Sequence, residues 1–518
     1  MAQQRFKRVS VAFALLLAAS GAAMAATDRA TVHTGALQGT TDAGVVAFKG
    51  IPFAAPPIGE LRWKPPQPAQ AWSGVRAADS YGADCMQEPF PGDAAPLGVT
   101  PAEDCLYLNV WRPAAEAGKL PVMVWIYGGG FVNGGSSPAV YDGSEFAKSG
   151  VVLVSFNYRL GHLGFFAHPA LTSEQPDGLH GNYGLMDQIA ALKWVQRNVA
   201  AFGGDPSNVT IFGESAGGMS VNFLLTTPLA SGLFHKAVVQ SGGGRSMMRS
   251  RKLRGDEDSA EARGVRLAKQ FGVEGNDAQA LAKLRAIPAD ELKLSMMRMG
   301  EANYVGGPIQ DDKLVLGEPA TLFAKGGGAR VPVMLGATNN DIGFVQAKSL
   351  DELYALFGEQ AAAARAAYPS NGNDFVQVLM RVGGDQMMVE PARYIARVLT
   401  ARGQPVYHFR FSYVAESMRN TWPGAPHATE IPYVFNTVAA RYGKDLTQKD
   451  AAMAKAVHEY WITFAKDGRP RAEQAPAWAP YDPKSDAIMD FTNDGPVLRP
   501  DPWKVRLDLT ERRQAAGH

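Results

Sequence analysis

Short unbroken apolar runs alternate with stretches of helical periodicity through the middle of the chain. Pro121–Ile126, Val151–Phe156, Val209–Phe212, Lys236–Val239 and Val331–Leu335 read as strands, and Val406–Phe411 alternates like a later one. Runs without polar interruption suit strands covered on both faces, the signature of a parallel sheet packed between helices. Between Leu185 and Phe202, Met186, Ile189, Leu192 and Val195 recur at three-residue steps, which predicts a helix. Strands alternating with helices point to a doubly wound α/β domain with a mostly parallel central sheet. Arg251–Arg298 and Leu350–Thr400 are helical in pattern and read as excursions from the sheet, walls over a site. No repeat, Ser-rich linker or charge block divides residues 26–518, so a single domain is expected.

Composition narrows the class. The 518 residues are 46% hydrophobic and 19% charged, with 55 Gly and 34 Pro, which excludes collagen, coiled coil and a disordered tail. Residues 1–25 read as an export signal: Arg5, Lys7 and Arg8, the apolar run Val11–Ala19, then Ala22-Ala-Met-Ala25 as a cleavage site. Without those three cations, 48 basic residues face 50 acidic ones, a balance with no general pull on nucleic acid. No later stretch has the apolar length of a membrane helix, so the expected product is soluble, periplasmic or secreted, without a membrane anchor. Cys85 and Cys105 are too few for a zinc site and too far apart for a redox pair. In an exported chain they read as one disulfide, worth about 3 kcal/mol in the chain-entropy model, against the alternative of two unrelated thiols.

The chemistry is concentrated in Gly213-Glu-Ser-Ala-Gly217, a G-x-S-x-G placed between a strand and a helix. That junction lifts a Ser hydroxyl above the sheet edge, making Ser215 the candidate nucleophile. A serine hydroxyl needs a base. In folds carrying this turn the partners follow in the order Ser, acid, His, leaving His408, His427, His458 and His518. His408 lies in a strand pattern, His458 in the helical run Ala451–Ala465, and His518 ends the chain. His427, in the turn Pro423-Gly-Ala-Pro-His427, is the choice. For the acid, Asp341 stands a short loop beyond the Val331–Leu335 strand, where sites in open α/β sheets gather; Asp311, Asp312 and Glu352 are the fallbacks. Tyr127-Gly-Gly-Gly-Phe131 can aim backbone N–H groups at an oxyanion, with the Ala216 amide beside them. As a phosphate loop it fails, since no Gly-Lys-Ser/Thr follows.

The chain resembles the type-B carboxylesterases, the family of the cholinesterases, across residues 29–505. The resemblance rests on Phe48–Pro57, Glu103–Trp111, Trp125–Phe131, Asn157–Gly161, Gly181–Gln188, Phe202–Pro206 and Thr210–Gly218. It implies an α/β-hydrolase fold, Ser215 as nucleophile, His427 as base, and oxyanion amides from Gly129, Gly130 and Ala216. It further implies a Cys85–Cys105 disulfide, an Arg62–Glu103 ion pair beside it, and supporting polar roles for Glu214 and Ser241. Counting from Gly336 aligns Asp341 with the family's acid, usually a Glu. The Cys85–Cys105 loop lacks the Trp with which cholinesterases face a quaternary ammonium. Met248, Ala302, Tyr304 and Val345 align with the acyl-pocket aromatics, only one of them aromatic, and Phe344 joins them as a pocket residue.

These readings converge on an exported serine carboxylic-ester hydrolase that uses no cofactor or metal and takes a small to medium ester without a quaternary ammonium. Two alternatives stand beside it: a lipase acting on longer acyl chains, and a non-catalytic adhesion module of the kind that lacks the Ser. The sequon Asn208-Val-Thr210 opens a core strand and reads as incidental. The natural ester and the oligomeric state are not written in the motifs.

Overall fold

The computed structural model describes residues 28–115, 118–176, 178–245, 251–298 and 306–516. Residues 1–25, read from the sequence as an export signal, lie outside the described residues, as do Met248, Ala302 and Tyr304. Eleven strands form one sheet. In chain order they are β1 (Thr40–Asp42), β2 (Val45–Pro52), β3 (Tyr107–Pro113), β4 (Leu120–Ile126), β5 (Val152–Phe156) and β6 (Gly204–Glu214). Then come β7 (Lys236–Gln240), β8 (Val333–Thr338), β9 (Val406–Phe411), β10 (Ala487–Thr492) and β11 (Gly495–Pro500). Their spatial order is β1-β2-β3-β5-β4-β6-β7-β8-β9-β10-β11. The run from β5 to β10 is parallel. The flanking pairs β1·β2, β2·β3, β3·β5 and β10·β11 are antiparallel.

The apolar runs become strands because both faces are covered. All five residues of β5 are buried and β4 is buried from Val122 onward; the alternating β9 is buried throughout as well, His408 and Arg410 included. The expected helix forms over Tyr183–Asn198 and closes in a 3₁₀ turn through Phe202, where Gly203 takes a left-handed φ of 78°. Between β4 and β6, Trp125 packs on Phe212 at 4.9 Å between ring centres, and Phe435 meets Trp125 edge-on at 5.0 Å. Contacts of this kind stiffen the strands from whose ends the site projects.

Both excursions are helical in part. The first holds Ala260–Gln270, Ala278–Arg285 and Ala289–Leu292, and begins with the two-residue strand Arg251–Lys252. In the second, Phe375–Gly384 runs into a π-helical turn at Asp385–Val389 and on into Glu390–Ala401. Pro391 explains the widened turn: it has no N–H for the Met387 carbonyl, so the regular ladder must break just upstream. Cys85 and Cys105 are joined in a disulfide. Arg62 pairs with Glu103 beside it, at 2.5 and 2.7 Å. A mostly parallel sheet covered by helices, with the chain reversing direction at β4, is the α/β-hydrolase arrangement.

Candidate active site

The sheet order reverses at β4, which sits between β5 and β6. Such a switch opens a crevice at the carboxyl ends of the strands, and three loops meet there. After β6, Ser215 adopts φ 57° and ψ −122° and leads directly into the helix Ala216–Thr226. A non-glycine residue in that region carries strain of roughly 1–3 kcal/mol, sustained only by its surroundings. Those surroundings are tight. A Cβ on Gly217 would lie 1.9 Å from the Ile126 carbonyl oxygen, and one on Gly128 would lie 2.9 Å from the Ser215 Cβ. Glycine at both positions lets the turn after β4 press against the turn after β6.

The Ser215 hydroxyl lies 2.9 Å from His427 Nε2, and His427 Nδ1 lies 2.6 Å from Asp341 Oδ1. Ionised Asp341 can only accept, so Nδ1 carries a proton, and in the neutral ring Nε2 is then free to take the hydroxyl proton. Every lone-pair direction of Asp341 is used. Oδ1 accepts from His427 and the Ile342 N–H, while Oδ2 accepts from the Ser241 hydroxyl at 2.6 Å and the Thr338 N–H at 3.1 Å. Burial alone would raise this carboxyl, yet the His427 charge and those donors hold it below its ordinary value.

Glu214, buried beneath the ring, places Oε1 3.2 Å from His427 Nε2. Burial pulls the imidazole down, but the Glu214 and Asp341 carboxylates prevail and lift it to about 10. Glu214 in turn is driven well up by burial, opposed by the charge of His427. A further buried acid, Glu430, accepts from Gln240 Nε2 at 3.0 Å, and Trp461 Nε1 donates to the same Gln240 at 3.1 Å. Burial raises Glu430 to about 7.

Ser215 opens on a cavity of about 610 Å³. Gly129 (φ 101°) and Gly130 (φ 63°) line it, as does Ala216. Among the hydrogen bonds of the described residues, neither the Gly129 nor the Gly130 N–H donates to a protein acceptor. The apolar wall comes from Phe131, Val140, Met219, Ile342, Met387 and Ile431. Asp93 and Arg441 bring charge to the same cavity.

A serine hydroxyl, an imidazole and a carboxylate joined in this way, beside amides without a protein acceptor among the described residues, are the parts that acyl transfer requires. The model of the carboxylesterase family matches residues 26–506. The chain belongs to the carboxylesterase family. It is 36% identical to the fumonisin B1 esterase of Sphingopyxis macrogoltabida over 93% of this chain and 90% of that one. The para-nitrobenzyl esterase of Bacillus subtilis (strain 168) is also 36% identical, over 87% of this chain and 92% of its own. Human cocaine esterase is 33% identical over 92% and 90%. The carboxylesterase is therefore a carboxylic-ester hydrolase, in a family whose relatives act on small-molecule esters.

Of the residues singled out from the carboxylesterase's sequence, Ser215, His427, Asp341, Glu214, Ser241, Gly129, Gly130 and Ala216 all meet at this crevice. His408 is instead buried in β9 with Nδ1 against the Leu335 carbonyl, and burial lowers it to about 4. His458 faces the Val434 carbonyl and the Ser149 hydroxyl. Asp311 accepts from the N–H groups of Lys313, Leu314 and Val315 as a turn cap. Phe344 lines the cavity. Val345 corrects the expected pocket: it packs against a separate apolar cluster around Leu353 and Val382, because adjacent side chains in that irregular stretch face opposite ways. Met219, Met387, Gln240, Glu430, Asp93 and Arg441 had no motif to announce them.

Proposed function

We propose that the protein is an exported, single-domain serine esterase working through an acyl-enzyme on Ser215. The observation that carries this reading is the continuous chain Ser215 Oγ–His427–Asp341, at 2.9 and 2.6 Å, at the floor of a cavity lined by unpaired backbone amides. His427 Nε2 takes the Ser215 proton as Oγ attacks the ester carbonyl, and the Gly129, Gly130 and Ala216 N–H groups hold the oxyanion. The carbonyl–oxygen bond to the alcohol then breaks as His427 returns the proton to it. Water, deprotonated by the same ring, releases the acid and regenerates the serine. Asp341 keeps the ring in the productive tautomer throughout.

A cavity near 610 Å³ suits a small or medium ester. The absence of a Trp from the Cys85–Cys105 loop argues against a quaternary ammonium at the alcohol side. Ser215→Ala should lower kcat for nitrophenyl butanoate on the order of 10⁶-fold with the fold retained. A folded variant keeping a tenth of the wild-type rate would overturn the assignment.

A further inference from the structure

Building on that triad, we infer that Asn339 is a positioning residue, whose side chain sets the distance between His427 and Asp341 by stapling together the loops that carry them. The two loops leave neighbouring parallel strands, β8 and β9, with Thr338 paired to Phe411 at their ends. The Asn339 N–H donates to the Phe411 carbonyl at 2.9 Å, still within the reach of the sheet. Beyond that point the paths separate, and the chain through residues 412–424 must return to present His427. The return is met by Asn339 and its neighbour. Asn339 Oδ1 accepts from the Ala425 N–H at 2.6 Å, and the Asn340 N–H donates to the Ala425 carbonyl at 3.0 Å. Asn340 and Pro426 form an isolated bridge. Ala425 thus has both backbone groups fixed to the acid loop, two residues before His427, by groups standing one and two residues before Asp341.

The site is built around that oxygen. A Cβ on Gly424 would come within 2.7 Å of the Asn339 side-chain oxygen. Asn339 is only half-buried, on the wall of an outer cleft it shares with Ser412 and Asn493, so trimming it leaves the apolar core intact. Among the described residues, its one side-chain hydrogen bond to the His427 loop is that to Ala425. Shortening the side chain frees that loop, and a displacement near 1 Å at a reacting group costs up to about 10²-fold in rate.

The test is steady-state hydrolysis of nitrophenyl butanoate by Asn339→Ala and Asn339→Asp. Asn339→Ala should lose roughly ten- to a hundred-fold in kcat. Its KM should stay within about two-fold, since no residue of the substrate cavity is touched. Asn339→Asp keeps an acceptor oxygen at the same reach and should stay within about three-fold of the wild-type kcat. A general structural role would not be rescued in this way. Wild-type kcat in Asn339→Ala overturns the inference, as does equal loss in both variants. Should Asn339→Ala fail to fold, Gly424→Ala displaces the same oxygen and must show the same loss in kcat at unchanged KM; wild-type kcat there overturns the staple. Failure of the triad itself has a different signature, activity surviving in Ser215→Ala.

Discussion

Asp341 and Phe344 stand three residues apart on one loop and live in opposite surroundings. Asp341 is 4% exposed and accepts four hydrogen bonds, whereas Phe344 is 71% exposed at the cavity wall. The loop backbone between them is clamped, since a Cβ on Gly343 would fall within 1.9 Å of the Gly383 carbonyl carbon. The chemistry is therefore anchored to strand ends and to backbone, while the wall that meets the substrate hangs from side chains free to differ. Specificity can change there without disturbing the acid a few residues away.

Asp341→Asn should break the anchored half most severely after loss of the nucleophile itself. The amide would turn a donor toward groups that already donate and would lose the tautomer control of His427, costing about 10⁴-fold in kcat. A folded Asp341→Asn with more than a tenth of wild-type activity would mean that the loop's buried carboxylate is not the acid.

Glu214→Gln probes the ring from its other side. The base works unprotonated, so a raised His427 places the acid limb of the rate profile at high pH. Glu214, where ionised, is the first of the charges that raise it, although burial favours its neutral form. Removing that charge should lower the His427 pKa and shift the limb toward lower pH. A pH–rate profile of kcat/KM checks the sign, and a limb that stays put or moves upward contradicts the electrostatic reading.

Phe344→Ala tests the free half and should matter least. The exposed ring is not held by the triad, so kcat/KM for acetyl esters should stay near wild type. Hexanoyl esters, which gain from apolar contact, should fall several-fold. Equal losses for both acyl lengths would tie the wall to the chemistry after all.

The same division decided how much the sequence disclosed. β4 and β5 were legible because burial on both faces leaves an unbroken apolar run, which few other contexts produce, whereas β9 was legible by its alternation, with His408 and Arg410 between apolar residues. Ser215 was legible because its strained turn demands small neighbours, and His427 and Asp341 because chain order and a strand end constrain them. The wall was not. Met219 follows the nucleophile by four residues, while Met387 comes from a π turn far along the chain, and only folding brings them to one cavity. Val345 was misplaced because a loop without a regular period does not say which of two neighbours faces the site. Asn339 escaped notice since its importance lies in a backbone partner 86 residues away.

The account's central claim, a covalent acyl group on Ser215, is tested most directly by acid-quenching the enzyme during turnover of nitrophenyl butanoate and mapping the adduct by peptide mass spectrometry. The account predicts a butanoyl mass increment confined to the peptide bearing Gly213–Gly217, localised to Ser215 on fragmentation and absent from Ser215→Ala. An increment on any other residue, or undiminished turnover by the variant, would contradict it.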